Sequence, residues 1–397
     1  MRRRVIATCR SLALVVAVAA LCAPLAAAAS GPRSTGWVAV KPQQQRALSR
    51  ATARQLDARR LAQATHPAGQ KAPAGYDGAG FALGGAFQNE SETDRGHDLD
   101  LLSSAGASWT RMDVNWSMIQ AQGPSSYDWA PFDRVASAAR SRGFRILATI
   151  LYTPGWARPA GGTATTPPAH LDDYVAFARQ TARHYASFGI HAYEIWNEPN
   201  ITAFWQPRPD VAVYTAMLRG ASAAIKSVDP QAVIVTGGTS PAPDSGGNIS
   251  PVSFLRGIYA NGGRSAFDAV AHHPYCWPAL PGDAQAWSAW YQMYGTSPSL
   301  RSVMTDNGDA GKQIWATEFG APTNGPAGSF VSEQTQATMV TRAFGLFRSY
   351  KWAGPLFWYS GRDLGTATTT RENFFGVVRN DFSAKPAFAA YRAATAG

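Results

Sequence analysis

Residues 193–200 read Tyr193-Glu194-Ile195-Trp196-Asn197-Glu198-Pro199-Asn200. Apolar and aromatic residues run up to a polar Asn-Glu pair, and Pro199, which has no N–H for a ladder, ends the run. Side chains alternate along a strand, so the spacing predicts Glu194, Trp196 and Glu198 on one face, with Glu198 outermost. A buried strand that ends in a carboxylate is costly unless that carboxylate is paired or has a task.

A second segment repeats the design: Ile314-Trp315-Ala316-Thr317-Glu318-Phe319-Gly320 is an apolar run that ends on Glu318. Around these two, short apolar or aromatic runs alternate with longer amphipathic stretches, the βαβα texture of a parallel sheet. Eight strands are predicted, over 81–87, 108–116, 145–152, 192–197, 232–237, 269–273, 314–319 and 355–359. Helices are predicted between them, for example over 131–142, 171–187, 209–228 and 332–350, with a closing helix over 385–394. Eight such units are the size of one (β/α)8 TIM barrel. A doubly wound sheet is the competing α/β fold, but no glycine-rich phosphate loop follows the first strand. A barrel places its chemistry at the carboxyl ends of the strands. The polar residues at those ends are Arg111 and Asp113, Asn197 and Glu198, His273 and Tyr275, and Glu318.

Two carboxylates across a barrel mouth suit hydrolysis of a glycosidic bond. One gives a proton to the leaving oxygen while the other, ionised, attacks the anomeric carbon. Carboxyl groups about 5 Å apart support retention through a covalent intermediate, and about 6.5–9.5 Å supports inversion.

The tetrad Trp196-Asn197-Glu198-Pro199 with Thr317-Glu318-Phe319-Gly320 resembles glycoside hydrolase clan A. The lead-in Ser108-Trp109-Thr110-Arg111-Met112-Asp113 and the run Tyr152-Thr153-Pro154-Gly155-Trp156 are closest to family 39 and its exopolysaccharide-hydrolysing relatives, with family 5 next. The resemblance covers roughly residues 81–391. It implies that Glu198 is the acid/base, Glu318 the nucleophile, and the configuration retained. It further implies that Asn197 binds the sugar 2-hydroxyl, that Tyr275 of His273-Pro274-Tyr275 orients Glu318, and that Arg111 keeps Glu318 ionised. Trp358 on the eighth strand would form the aromatic floor beneath the reacting sugar. Family 39 members often carry an added β-sandwich. This chain ends shortly after the eighth helix, so no such module is expected.

Other residues have quieter readings. Glu194 is expected to be a buried, paired structural carboxylate rather than a third catalytic acid, and His272 a packing residue on the face opposite His273. Asp113 either binds sugar or pairs with Arg111. Of Trp116, Trp156, Trp205 and Trp277, which follow strands two, three, four and six, at least two are expected to stack on sugar. Asp172 and Asp173 read as charges that open a helix. Asn248-Ile249-Ser250 fits a glycosylation acceptor, a short pattern that also recurs by chance.

The chain is 45% hydrophobic, 16% charged and 11% aromatic, which is a globular composition with aromatic surface to spare for sugars. Its net charge of +10 is unevenly spread. Residues 1–75 carry 12 Lys/Arg against the single acid Asp57, whereas the remainder is close to neutral. A neutral globular part argues against nucleic acid as a partner. Arg2, Arg3, Arg4 and Arg10, an apolar run over 11–25 and the small residues Ala26 to Ala29 predict an export signal cleaved near Ala29. A lipoprotein signal at Cys22 and an uncleaved anchor are the alternatives. The expected organisation is thus a signal over 1–29, a basic and partly disordered spacer over 30–75, and the catalytic barrel over 76–397. Cys9 and Cys22 fall in the signal, so the mature chain keeps only Cys276 and no internal disulfide. No metal-ligand spacing is present, and neither metal nor cofactor is expected.

The expected protein is a secreted or envelope-associated monomer with no membrane span after cleavage. It is expected to be a retaining glycosidase acting on a β-linked polysaccharide or oligosaccharide. A transglycosylase using the same glutamates and a non-catalytic carbohydrate-binding barrel are the alternatives.

Overall fold

The computed structural model describes residues 77–396. The expected signal over 1–29 and spacer over 30–75 lie outside the described residues. Eight parallel strands close into a barrel in chain order: β1 (Ala79–Ala82), β2 (Trp109–Asn115), β3 (Arg145–Leu151), β4 (Ala192–Asn197), β5 (Val233–Gly238), β6 (Ala269–His272), β7 (Gln313–Phe319) and β8 (Ala353–Trp358). The ring closes where Ala79 and Gly80 of β1 pair with Leu356 and Phe357 of β8. Each strand is followed by a helix of the outer layer: α1 (Glu92–Ser104), α2 (Ala130–Arg140), α3 (Leu171–Tyr185), α4 (Val211–Lys226), α5 (Pro251–Ala260), α6 (Leu300–Asp306), α7 (Glu333–Ser349) and α8 (Pro386–Thr395). The (β/α)8 expectation is met.

Local chemistry sets these boundaries. Ser91, Asp210, Ser250 and Ser332 cap α1, α4, α5 and α7 by accepting backbone N–H groups. Asp172 and Asp173 lie in the first turn of α3, as expected. The first strand is displaced from its expected range, 81–87. It ends at Ala82 because Gly84, at φ +61°, turns the chain into a 3-10 turn at Ala86–Asn89, where Phe87 is buried. Among the described residues no helix is long and apolar enough to cross a membrane.

Alternation builds the barrel interior in layers. At the bottom, Trp109, Leu147, Ala192, Val235, Ala269, Trp315 and Phe357 form a closed apolar plug. Trp109 meets Trp315 edge-on at 5.5 Å and Phe357 at 6.1 Å. A Cβ on Gly80 would lie 2.6 Å from Phe357, so only glycine leaves room for that ring. Two residues further up their strands stand Arg111, Thr149, Glu194 and Thr317, and beyond Arg111 on β2 comes Asp113. The outward residues, such as Ile146, Ala148 and Ile150 of β3, join the core under the helices.

Candidate active site

Arg111 is 1% exposed and organises the barrel centre. Its Nε donates to Glu194 Oε2 at 2.5 Å, its Nη1 to Glu318 Oε1 at 2.6 Å and its Nη2 to Asn197 Oδ1 at 2.7 Å. Glu194 also accepts from Thr149 Oγ1 at 3.0 Å, the Gly238 N–H at 2.8 Å and Thr317 Oγ1 at 3.2 Å. With both oxygens satisfied, Glu194 is the buried, paired carboxylate the sequence suggests, and it anchors Arg111. Burial alone would lower the Arg111 pKa, but Glu194 and Glu318 outweigh it and keep the guanidinium a cation.

Glu318 accepts a second hydrogen bond at Oε2, from the Tyr275 hydroxyl at 2.9 Å. Burial pushes its pKa up, but His273, Arg111 and the two hydrogen bonds prevail and hold it below the ordinary glutamate range. Glu198 Oε1 lies 2.9 Å from His273 Nδ1, and Glu318 Oε2 lies 3.6 Å from the same nitrogen. Glu198 Oε2 is buried without a partner among the described residues. One ligand atom from each of Glu198, His273 and Glu318 falls within a 4.8 Å group. A divalent cation placed there would sit against the Arg111 guanidinium already bound to Glu318, an arrangement better suited to anchoring a carboxylate than a metal.

The structure brings together Arg111, Asn197, Glu198, His273, Tyr275 and Glu318, six of the nine residues singled out from sequence. Asp113 is buried nearby but forms no ion pair with Arg111, which is taken up by Glu194, Glu318 and Asn197. His272 is fully buried between Thr239 Oγ1 at 2.8 Å and the Ala289 carbonyl at 3.1 Å. Burial pushes its pKa down to about 3, so it packs as a neutral ring.

Two expectations need correction. Trp358 is 0% exposed, lies edge-on to Phe319 and donates its Nε1–H to the Phe375 carbonyl at 3.1 Å. It faces the helices, because Phe357 is the inward residue at that point of β8. The next inward side chain is Tyr359, partly exposed and close enough to Glu318, Asp113 and Glu198 for their charges to bear on its hydroxyl. Trp116 and Trp205 are likewise buried in the helix layer, stacked on Phe177 and edge-on to Trp196. Of the four tryptophans proposed for stacking, Trp156 and Trp277 keep exposed surface. Trp156 is fixed by its Nε1–H to the Gln120 carbonyl at 2.6 Å, and Trp277 carries the Arg371 guanidinium over its ring at 5.1 Å.

The second correction concerns strand geometry. Trp196 does not share a face with Glu194 and Glu198. Its backbone is left-handed, at φ +73°, and its ring packs outward on Tyr174 and Trp205. That residue resets the alternation, so Asn197 and Glu198, although consecutive, both turn inward. A register shift does the same in β7, between the pairs Ala316–Leu356 and Phe319–Trp358, and lets both Thr317 and Glu318 reach the interior. Tyr152 at φ +68° and Glu198 at φ +44° add to the left-handed residues at these strand ends. Such backbone is costly and gathers where side chains must be aimed.

Composition and periodicity did not single out Tyr152, Tyr359 or Gly238. Tyr152 immediately follows β3, partly exposed, near Asp113, Glu318 and Glu198. A Cβ on Gly238 would collide with His273 and come within 2.6 Å of Thr317 Oγ1, so this glycine makes room for His273. Parity along β8 points to Tyr359, and the Gly237-Gly238 pair is the available signal for the close approach.

A closed parallel barrel whose mouth holds two carboxylates, on the fourth and seventh strands, defines the class of barrel glycosidases. The chain belongs to the cellulase family, glycosyl hydrolase family 5, whose sequence model matches residues 75–361. That is one of the two families to which the motifs point. Comparison with curated proteins gives no match. Among solved structures, the chain is similar to a family 39 glycoside hydrolase from Bacteroides cellulosilyticus, with 21% identity and a TM-score of 0.63 over 79% of this chain and 63% of that one. A monomeric β-xylosidase from Caulobacter crescentus aligns with 17% identity and a TM-score of 0.60, over 81% of this chain and 69% of that one. An exo-β-1,4-mannosidase from an Opitutaceae bacterium aligns with 18% identity and a TM-score of 0.57, over 84% of this chain and 62% of that one. This chain therefore spans less than two thirds of the Bacteroides and Opitutaceae structures. These likenesses establish the shared fold.

Proposed function

We propose that the protein is a retaining glycoside hydrolase that cleaves β-glycosidic bonds in a polysaccharide or oligosaccharide by double displacement. The observation that carries this reading is the pairing of Glu198 and Glu318. They have oxygens within 4.8 Å of each other, and Glu318 is clamped by Arg111 and Tyr275. That separation suits retention, because inversion needs room for a water between the two carboxyl groups.

Glu198 gives its proton to the glycosidic oxygen as the bond from that oxygen to the anomeric carbon breaks. Glu318 attacks the anomeric carbon from the opposite face and forms a glycosyl ester. A water then enters; Glu198, now a carboxylate, takes its proton, and the water oxygen displaces Glu318 with the original configuration restored. His273 holds Glu198 through Oε1, leaving Oε2 for this proton traffic. Arg111 turns Asn197 Oδ1 toward itself, which leaves the Asn197 amide N–H groups to donate to the sugar 2-hydroxyl.

The β-xylosidase and β-mannosidase among the similar structures support a β-linked substrate. The basic, apolar and small-residue order of residues 1–29 supports export, with 30–75 as a spacer and the protein acting outside the cytoplasm or at the envelope.

Glu318→Gln tests the reading. The amide keeps the shape of the side chain but cannot form the ester, so turnover should fall by several orders of magnitude while sugar binding and the melting curve persist. Near-normal turnover in this variant would sink the mechanism.

A further inference from the structure

Beside the carboxylate pair, the Asp113 carboxylate and the Tyr152 and Tyr359 hydroxyls receive no hydrogen bond from another described residue and feel the neighbouring charges alone. Asp113 is the most informative. It is 6% exposed, and it stands two residues beyond Arg111 on the inward face of β2, at the mouth of the barrel. Gly85 lies against it, and a Cβ there would be 3.2 Å from Asp113 Oδ2. Its backbone carbonyl is fixed by the Gln88 amide at 2.5 Å, so the strand end is held while the carboxylate receives nothing. A buried carboxylate left without donors is expensive, and a ligand that supplies them recovers that cost.

We propose that Asp113 is a specificity-determining residue: its two oxygens accept a pair of neighbouring hydroxyls of the reacting sugar, which is a neutral ring. This rests on the glycosidase reading above and extends it to the class of sugar. A sugar diol presents two O–H donors about as far apart as the two oxygens of one carboxylate. A uronic acid in the same place would set its carboxylate against Asp113, and the cations of this cluster are already committed. Arg111 is bound to Glu194, Glu318 and Asn197, and His273 to Glu198. Burial and the charges of Glu318 and Glu194 outweigh Arg111 and push the Asp113 pKa up to about 7, which agrees with a carboxyl that no neighbouring side chain supplies with donors.

The test uses the full chain and its Asp113→Asn and Asp113→Ala variants, with melting curves recorded for each. Aryl β-glycosides with an acidic phenol, in glucoside, xyloside, mannoside and glucuronide forms, identify the ring that is turned over. That ring is then compared with its monodeoxy analogues. On the parent sugar, kcat/KM should fall on the order of 10–100-fold in the variants, from the loss of charge-assisted hydrogen bonds. On the analogues lacking the hydroxyls that Asp113 holds, wild type and variants should converge. An equal loss on every analogue, an unchanged kcat/KM, or a glucuronide preferred by the wild type would each overturn the proposal. Failure of the glycosidase reading itself is separate, and would appear as turnover that survives Glu318→Gln.

Discussion

Arg111 donates from Nη1 to Oε1 of Glu318 at 2.6 Å, joining β2 to β7 across the barrel centre, with side-chain exposures of 2% and 16%. The pair sets the charge state of Glu318, and its removal has a defined sign. Arg111→Met takes away a cation that holds the Glu318 pKa low, so that pKa rises. The ionised form is then lost at a higher pH, and the acidic limb of kcat/KM should move toward neutral pH. In stability terms a depressed carboxylate contributes above its unfolded pKa and loses that contribution as pH falls through its folded value. The variant also leaves Glu194 buried without its cation, so a loss of about 3–5 kcal/mol is expected. A pH–rate profile and a denaturant melt check both, and an unmoved acidic limb would mean that Arg111 does not govern Glu318.

Glu198→Ala should spare the first step on aryl glycosides with acidic phenols, which leave without protonation, and should cripple substrates with poor leaving groups. Azide can then occupy the vacated space and attack the glycosyl ester, giving a β-glycosyl azide. Product stereochemistry by NMR decides the matter. An α-azide, or equal loss on every substrate, would remove Glu198 from the acid/base role.

Gly238→Ala tests the packing behind the site. The new methyl group would press on His273 and Thr317. A destabilisation of about 1–3 kcal/mol is expected from overpacking. Displacement of His273, which holds Glu198, should lower kcat as well. Calorimetry and steady-state kinetics together check this; wild-type values in both would show that the pocket yields without cost.

Removal of residues 1–75 should leave a folded and active domain. The barrel is already tied down at Asp77, whose carboxylate pairs with Arg145 at 3.0 Å and whose carbonyl accepts from Trp109 Nε1 at 2.9 Å. The family match begins at residue 75. A truncated chain without a cooperative melt would show that residues 1–75 contribute to the fold.

Much of this molecule was legible in its residues. Apolar runs of strand length separated by amphipathic stretches determine eight strand–helix units, and β4 begins and ends where its side chains say. The identities of Arg111, Glu198, His273, Tyr275 and Glu318 follow from polar residues at strand ends, where burial without a task would be costly. The aim of those side chains does not follow. Strict alternation places Asn197 and Glu198 on opposite faces, and Thr317 and Glu318 likewise. Tertiary structure brings both members of each pair inward, through the left-handed Trp196 held by Tyr174 and Trp205 and through the register shift between β7 and β8. It also decides that Tyr359 rather than Trp358 faces the carboxylates, because the closure of β8 against β1 fixes Phe357 in the interior plug. Periodicity is a property of neighbours along the chain. The breaks in periodicity that build this site are stabilised by packing between residues far apart in it, and no local pattern records them.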